Sequence, residues 1–339
     1  NKFGLEIKFN LIKDVTMLAE SKIWENHRNE TSHEVLEKRK ANPIEIYDKK
    51  FLQLIDPKSE LVNLWKGCEW AEGPVYFPEG NLVIWSDIPN NRMLRYEINK
   101  KQTFVHREPS NNSNGNYRNM DGDLVSCEHR TNRITLTNSD NEIVELTSKY
   151  EGKRLNSPND LVIKNDGTIW FTDPPYGIIS EREGNQRDSE IGGNYTYIYE
   201  PDSNKTSIVD KTCDRPNGLA FSHDETKLYI ADSGKPGTIS IFDVSNNKLS
   251  NKKLFVKVRP GIPDGFRVDI NENIWTSAKD GVHCYDASGK LLGKILIPEQ
   301  ATANLVFGDN EGKTLYICGD TSLYKIRTKV QGSHLFWIN

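Results

Sequence analysis

The sequence predicts an all-β protein of six successive units, each built from four short strands, and three observations carry that prediction. A four-beat pattern of alternating apolar segments, punctuated by turn residues, recurs along the chain. Ser157-Pro158-Asn159-Asp160, Arg215-Pro216-Asn217-Gly218 and Ile262-Pro263-Asp264-Gly265 each set an oxygen-bearing side chain after a proline and just ahead of a predicted strand. Trp70-Ala71-Glu72-Gly73-Pro74 sets a glutamate at the equivalent place before Val75-Tyr76-Phe77. The last unit is one strand short, and a spare strand over residues 61–65 lies upstream of the first. Closing the ring with that strand gives a six-bladed β-propeller with an N-terminal extension, an arrangement that leaves few exposed sheet edges.

In chain order, residues 1–45 stand outside the repeat and are expected to form the extension, partly helical or irregular, ahead of a propeller domain over residues 46–339. Thr31-Ser32-His33-Glu34 has the spacing of a capping box, with Glu three places after Thr, and the helix it opens should stop before Asn42-Pro43. The first unit reads 75–77, 82–88, 92–98 and 102–106, and the second 117–121, 123–128, 133–137 and 142–147. The clearest copy is the third, with 161–163, an Asn165-Asp166-Gly167 turn, 168–173, 195–199 and 206–209. The fourth reads 219–221, 227–232, 238–244 and 249–258, and the fifth 266–270, 273–278, 281–286 and 291–297. The sixth has only 304–307, 314–318 and 322–327. Residues 174–194 are a long insert within the third unit; with Pro174-Pro175-Tyr176-Gly177 at its start, it is expected to roof part of one face.

Second strands are the most apolar of each unit and several end in an acid: Asp87, Glu128, Asp173 and Asp232. These acids are expected to cap central strands by accepting hydrogen bonds from neighbouring loop amides, the alternative being a role in lining the channel. Five cysteines, odd in number and without a CxxC pair, read as small buried apolar residues rather than zinc ligands or a disulfide framework.

With 44 Lys and Arg against 48 Asp and Glu in 339 residues, the net charge of -4 gives no support for a nucleic-acid partner. No apolar stretch approaches the ~20 residues needed to span a bilayer, so a soluble protein without a membrane partner is expected. The chain opens at Asn1 without a charged and apolar leader, so any signal peptide is expected to be already removed or absent from this sequence. The compartment, cytoplasmic or exported, and the choice between monomer and dimer stay open.

In a propeller, the residue just before a blade's innermost strand sits at one mouth of the central channel. Glu72, Asn159, Asn217 and Asp264 hold that place in four blades, and two carboxylates with two amide carbonyls make a site for a hard cation. Calcium is the natural occupant, since it takes about 6 to 8 oxygen ligands; Zn²⁺, Mg²⁺ and Mn²⁺ are the alternatives. A divalent ion with positions left for water or substrate can polarise a carbonyl and stabilise the oxyanion formed when water attacks, so ester or lactone hydrolysis suits the site. Asp264 is the best candidate for the catalytic base. His129 ends a central strand near the channel and is a candidate substrate contact, as are Asn116 and Asn304, expected just ahead of the innermost strands of blades two and six, and Tyr176 in the insert. No GxSxG elbow, HExxH, P-loop or GxGxxG is present.

At these residues the chain resembles the gluconolactonase and regucalcin (senescence marker protein) family of calcium-dependent six-bladed propellers, over about residues 65–330. Its marks are Ala71-Glu72-Gly73-Pro74, Trp85-Ser86-Asp87-Ile88-Pro89, Ser157-Pro158-Asn159-Asp160, Pro216-Asn217-Gly218-Leu219 and Ile262-Pro263-Asp264-Gly265. The resemblance implies that Glu72, Asn217 and Asp264 ligate the metal and that Asn159 ligates it or contacts its water or the substrate. The segment from Gly115 through Cys127-Glu128-His129 is similar to the bacterial gluconolactonase branch. Where the animal members carry an arginine two places before the first asparagine, this chain has Ser157, so that recognition of the sugar does not transfer. The implied activity is opening of a sugar lactone such as glucono-1,5-lactone to the aldonic acid. The rivals are a non-catalytic calcium-stabilised propeller that binds a protein or glycan, and a phosphotriesterase-like or aryl-lactone hydrolase on the same scaffold.

Overall fold

The structure, a computed structural model, describes residues 31–338. Six sheets stand around a channel, each with its first strand innermost. Blade one comprises Ala71–Phe77, Leu82–Asp87, Arg92–Glu97 and Gln102–Arg107, and blade two Ser113–Arg118, Leu124–Glu128, Arg133–Thr137 and Ile143–Thr147. Blade three comprises Leu161–Ile163, Ile169–Asp173, Tyr195–Glu200 and Lys205–Asp210, and blade four Pro216–Phe221, Lys227–Asp232, Thr238–Ser245 and Lys248–Lys257. Blade five comprises Phe266–Val268, Ile274–Ala278, Gly281–Tyr285 and Leu291–Leu296, with Ile44–Ile46 added at its outer edge.

Blade six has three strands of its own, Thr302–Gly308, Thr314–Gly319 and Ser322–Arg327, and its outer strand comes from upstream of blade one. Val62–Lys66 pairs antiparallel with Ser322–Arg327, Val62 opposite Lys325 and Lys66 opposite Ser322. The amides of Gly67 and Cys68 then both reach the carbonyl of Thr321 at 3.0 Å. Closure by the strand predicted over residues 61–65 is therefore observed, and it hides an edge that would otherwise be free to pair with another chain.

The apolar core lies between neighbouring blades, which is why second strands, packed on both faces, are the most apolar. Trp85, Trp170 and Trp275 are all on second strands and fully buried. Between blades four and three Phe221 meets Trp170 edge-on, with centroids 5.4 Å apart, and Tyr76 of blade one stacks on Tyr316 of blade six at 6.1 Å. All five cysteines are buried and unpaired. Among the described residues no helix is long and apolar enough to cross a membrane.

The helix expected near residue 31 spans His33–Ala41, but its cap is Ser32, whose Oγ accepts from the Val35 amide at 3.4 Å. Thr31 instead exchanges two hydrogen bonds with the side chain of Gln300. Arg39 fixes the helix to the ring by donating to the carbonyls of Ile297 (3.3 Å) and Glu299 (3.0 Å). The rest of the expected extension, residues 1–30, lies outside the described residues.

The innermost strands begin earlier than the sequence pattern predicts in blades one, two, four and six. The pairing slips between Glu72 and Val75, Ser113 and Asn116, Pro216 and Leu219, and Thr302 and Asn304. These are bulges, which bend a strand and re-aim a side chain. Gly73 adopts the left-handed backbone at one of them, with φ 54°. At the opposite mouth residues 331–338 fold across the channel: Ser333 N donates to Val268 O at 2.9 Å, Leu335, Phe336 and Trp337 pack on the blades, and a cavity of about 30 Å³ remains beneath them.

Candidate metal centre at one mouth of the channel

The pairs Ala71–Asp87, Ser113–Glu128, Pro216–Asp232 and Thr302–Gly319 sit at one level of their blades. The next residue in each innermost strand is therefore equivalent: Glu72, Asn114, Asn217 and Ala303. Backbone bonding adds blades three and five. The Thr172 amide donates to Asp160 O at 3.1 Å and the Ser277 amide to Gly265 O at 3.0 Å, which sets Asn159 and Asp264 at the same level. Around the ring the six positions are thus Glu72, Asn114, Asn159, Asn217, Asp264 and Ala303.

Three devices hold this ring. The acids that end second strands accept the two amides lying three and two residues before the ring position. Asp87 takes Glu69 N (2.9 Å) and Trp70 N (3.4 Å), Asp173 takes Asn156 N (2.8 Å) and Ser157 N (2.7 Å), and Asp232 takes Asp214 N (2.8 Å) and Arg215 N (2.9 Å). Hydroxyls one residue earlier reach the ring residue of the next blade: Ser86 Oγ donates to Asn114 O at 2.7 Å and Thr172 Oγ1 to Asn217 O at 2.8 Å. Finally, the residue after the ring position donates its amide to the neighbouring ring carbonyl, as Gly115 does to Asn159 (2.8 Å), Gly218 to Asp264 (3.2 Å) and Gly265 to Ala303 (2.8 Å). A Cβ on Gly218 would stand 2.3 Å from Asp264 O, so glycine is required for that approach.

Two blades fill the glycine position with a side chain, Asp160 in blade three and Asn304 in blade six. Asn304 Nδ2 lies 3.2 Å from Asp160 Oδ2 and 3.1 Å from Glu72 Oε1, joining the two carboxylates across the channel. Arg267 Nη1 is 3.9 Å from Asp160 Oδ2.

The electrostatics are those of buried acids crowded together, each held toward its neutral form. Burial, then Asp264 and Asp160, hold the Glu72 carboxyl well above the ordinary range. Burial followed by Asp160 pushes Asp264 up to about 8, against a hydrogen bond from Asn217. Burial also raises Asp160, with Arg267 pulling it back. Beside these acids the Oδ1 atoms of Asn114, Asn159 and Asn217 are buried without a hydrogen-bond partner. Buried polar atoms are nearly always paired, so three orphaned oxygens next to raised carboxylates fit a cation or a hydroxylated ligand. Among the described residues no three Cys, His, Asp or Glu side chains gather as a metal cluster, so an ion here would draw on amide oxygens as well as Glu72 and Asp264.

Of the predicted site residues, Glu72, Asn159, Asn217 and Asp264 come together at this mouth; Asp264 is half-buried and the others buried. Asn116 and Asn304 do not precede their strands but lie inside them. Asn116 is fully engaged: Nδ2 donates to Gly73 O (2.8 Å), Ser86 Oγ (2.9 Å) and Asn114 O (2.9 Å), and Oδ1 accepts from Ser126 (2.7 Å). It shapes the mouth rather than facing a ligand. His129 is completely buried behind Asn114, to which its Nε2 is bonded at 3.2 Å. Tyr176 lies in the short helix Tyr176–Ile179 of the insert, its ring 5.8 Å from the Arg215 guanidinium and within electrostatic reach of Asp264. Asn114 and Asp160 escaped the sequence pattern. The signal for Asn114 was an oxygen donor followed by glycine, shared with Glu72-Gly73, Asn217-Gly218 and Asp264-Gly265, but without the flanking proline.

A six-bladed propeller with a ring of carboxylate and amide oxygens at one channel mouth is the class that fold and site define together. The chain belongs to the SMP-30/Gluconolactonase/LRE-like family, which residues 70–321 match. It is 30% identical over 306 residues to gluconolactonase from Zymomonas mobilis, covering 82% of this chain and 84% of that protein. Pentonolactonase XacC from Haloferax volcanii is 25% identical over 260 residues, covering 74% and 81%. The solved structure of a gluconolactonase from Xanthomonas campestris superposes with a TM-score of 0.81 at 33% identity, covering 84% of this chain and 94% of that one.

Proposed function

We propose that this protein is a Ca²⁺-dependent hydrolase of sugar lactones such as glucono-1,5-lactone, opening the ring to the aldonic acid. The observation that carries the reading is the pairing of two raised carboxylates, Glu72 and Asp264, with the orphaned Oδ1 atoms of Asn159 and Asn217 at one mouth. The gluconolactonase and pentonolactonase relatives support the substrate class.

Glu72, Asn217 and Asp264 would hold the ion, with Asn159 beside it as a further oxygen donor to the ion or the substrate. A bound divalent cation supplies polarisation of the lactone carbonyl and stabilises the charge that develops on its oxygen. Asp264, the one half-buried member of the set, is the carboxylate assigned to orient a water and accept its proton as that water attacks the carbonyl carbon. Asp173 and Asp232 keep the loops carrying Asn159 and Asn217 in register, and the insert over residues 174–194 packs beside the mouth through Gly177 N, which donates to Ser157 Oγ at 2.9 Å, and Glu183 O, 3.1 Å from His129 Nδ1. Breaking the bond between carbonyl carbon and ring oxygen, with a proton returned to that oxygen, completes ring opening.

Proton release from glucono-1,5-lactone tests the reading. Hydrolysis above the spontaneous rate, lost on chelation and regained on adding Ca²⁺, is expected. Activity that survives complete removal of divalent ions defeats the metal-dependent mechanism.

A further inference from the structure

We infer that Asn114 is a specificity residue that accepts a hydrogen bond from a substrate hydroxyl, and that His129 is the positioning residue that aims it. The inference deepens the lactone reading and rests on it for the substrate class.

Asn114 holds the ring position of blade two, three blades away from Asp264 and so directly across the channel from it. It is 4% exposed, and its Oδ1 has no partner. The other end of its amide is fixed by a chain of three groups. The carbonyl of Glu183, in the insert, can only accept, and it lies 3.1 Å from His129 Nδ1, so Nδ1 carries the proton. Burial pushes His129 down to about 4, so the ring is neutral and its Nε2 has a lone pair but no proton. Nε2 lies 3.2 Å from Asn114 Nδ2 and must accept from it. The amide is thereby locked with its nitrogen toward His129 and its oxygen toward the mouth. A flipped Asn114 would set two acceptors against each other.

An acceptor-only oxygen, buried and held from behind, recognises a donor. The ion would be held by Glu72, Asn217 and Asp264 in blades one, four and five, whereas Asn114 of blade two faces Asp264 across the channel and is backed by His129, on which Gly177 of the insert packs so closely that a Cβ there would stand 2.6 Å from the His129 Cβ. A lactone lying across the mouth with its carbonyl toward Asp264 would turn its ring hydroxyls to Asn114. The ligand class is therefore a lactone bearing hydroxyls, distinguished from a bare ring. Asn114-Gly115 and Cys127-Glu128-His129 together carry the device.

The test compares kcat/KM for glucono-1,5-lactone and δ-valerolactone, alongside Ca²⁺ and gluconate binding by calorimetry. For Asn114→Ala the preference for the hydroxylated lactone should fall about tenfold, the scale of one lost neutral hydrogen bond, and gluconate binding should weaken similarly. Ca²⁺ affinity should stay within about threefold. His129→Leu should reproduce the loss, and His129→Gln, whose Oε1 can accept from Asn114, should recover much of it. A tenfold loss of Ca²⁺ affinity in Asn114→Ala would make it an ion ligand and overturn the inference, as would an unchanged lactone preference. If Asn114→Ala does not fold, the two His129 variants decide, and equal behaviour of Leu and Gln overturns it. If the wild-type protein hydrolyses neither lactone, the lactone reading fails by itself. Asn114 is then judged on gluconate, and a wild-type protein that does not bind gluconate overturns the inference.

Discussion

Asn304 of blade six donates through Nδ2 to Oε1 of Glu72 in blade one at 3.1 Å, across the seam where the ring closes. The same nitrogen is 3.2 Å from Asp160 Oδ2, and Asn304 Oδ1 accepts from the Leu305 amide at 2.8 Å. Glu72 Oε2 is held by Gly73 N at 3.0 Å, so both carboxylate oxygens are oriented from behind. Replacing Asn304 by Leu keeps the volume but frees Glu72 to rotate and leaves two raised carboxyls without a shared donor. Ca²⁺ affinity measured by calorimetry should fall about tenfold, the worth of one hydrogen bond to a charged group. Affinity equal to wild type would show that Glu72 is held without Asn304.

Asp232 satisfies three backbone donors, Asp214 N at 2.8 Å, Arg215 N at 2.9 Å and Gly234 N at 3.0 Å. Asp232→Ala strands two amides in the loop that carries Asn217 and a third, Gly234 N, in the loop after the second strand, and each buried unsatisfied donor costs about 1–3 kcal/mol. Partial rescue by water lowers the total, so a loss near 3 kcal/mol in urea unfolding is expected, with weaker Ca²⁺ binding. A loss below about 0.5 kcal/mol, the scale of an ordinary surface substitution, would mean the loop is held by other contacts.

The alternation of four strands, the missing sixth-blade strand and its replacement from upstream were legible because strand periodicity and turn residues are local properties. Glu72, Asn159, Asn217 and Asp264 were legible because proline or glycine beside an oxygen donor marks a constrained backbone. Asn114 was not, because its equivalence to Glu72 depends on the bulge between Ser113 and Asn116, which moves the strand start by several residues and cannot be seen in hydrophobic alternation. The same slip made Asn116 look like the mouth residue. Asp160 read only as the partner of Asn159, since its contact with Asn304 joins residues 144 positions apart. The role of Asp87, Asp173 and Asp232 as acceptors for loop amides was readable from their place at strand ends, whereas Glu128, one methylene longer, instead binds the side chains of Arg107, Asn111, Thr131 and Arg133.

The raised carboxyls give the cation-free protein a pH dependence of definite sign. Asp264 goes up to about 8, Asp173 to about 7 and Glu72 well above its ordinary value, chiefly through burial. In the unfolded chain such groups ionise near pH 4. Between those limits the folded state binds more protons than the unfolded one, so stability is full below about pH 4 and is lost as pH rises through 7 to 8. The Tm of chelated protein should fall steadily from pH 5 to 8.5. Added Ca²⁺ binds the ionised, folded form, so its stabilising effect should grow over the same interval. A Tm that rises with pH in the chelated protein would contradict the placement of these acids.

Replacing Asp264 by asparagine separates ligation from proton transfer. The variant keeps the size and an oxygen that can face an ion, and loses the negative charge and the basicity. Loss of charge weakens Ca²⁺ binding, which a higher ion concentration overcomes, while loss of basicity does not respond to concentration. Removing one acid from a site where Glu72 is raised partly by Asp264 also relieves Glu72, so the variant should unfold at a higher temperature than wild type when both are chelated above pH 8. If Asp264 accepts the proton of the attacking water, kcat at saturating Ca²⁺ should stay depressed by about 10²- to 10⁴-fold, the range for a lost general base. Recovery of near-normal kcat at high Ca²⁺ would leave Asp264 a ligand alone and pass the proton to solvent.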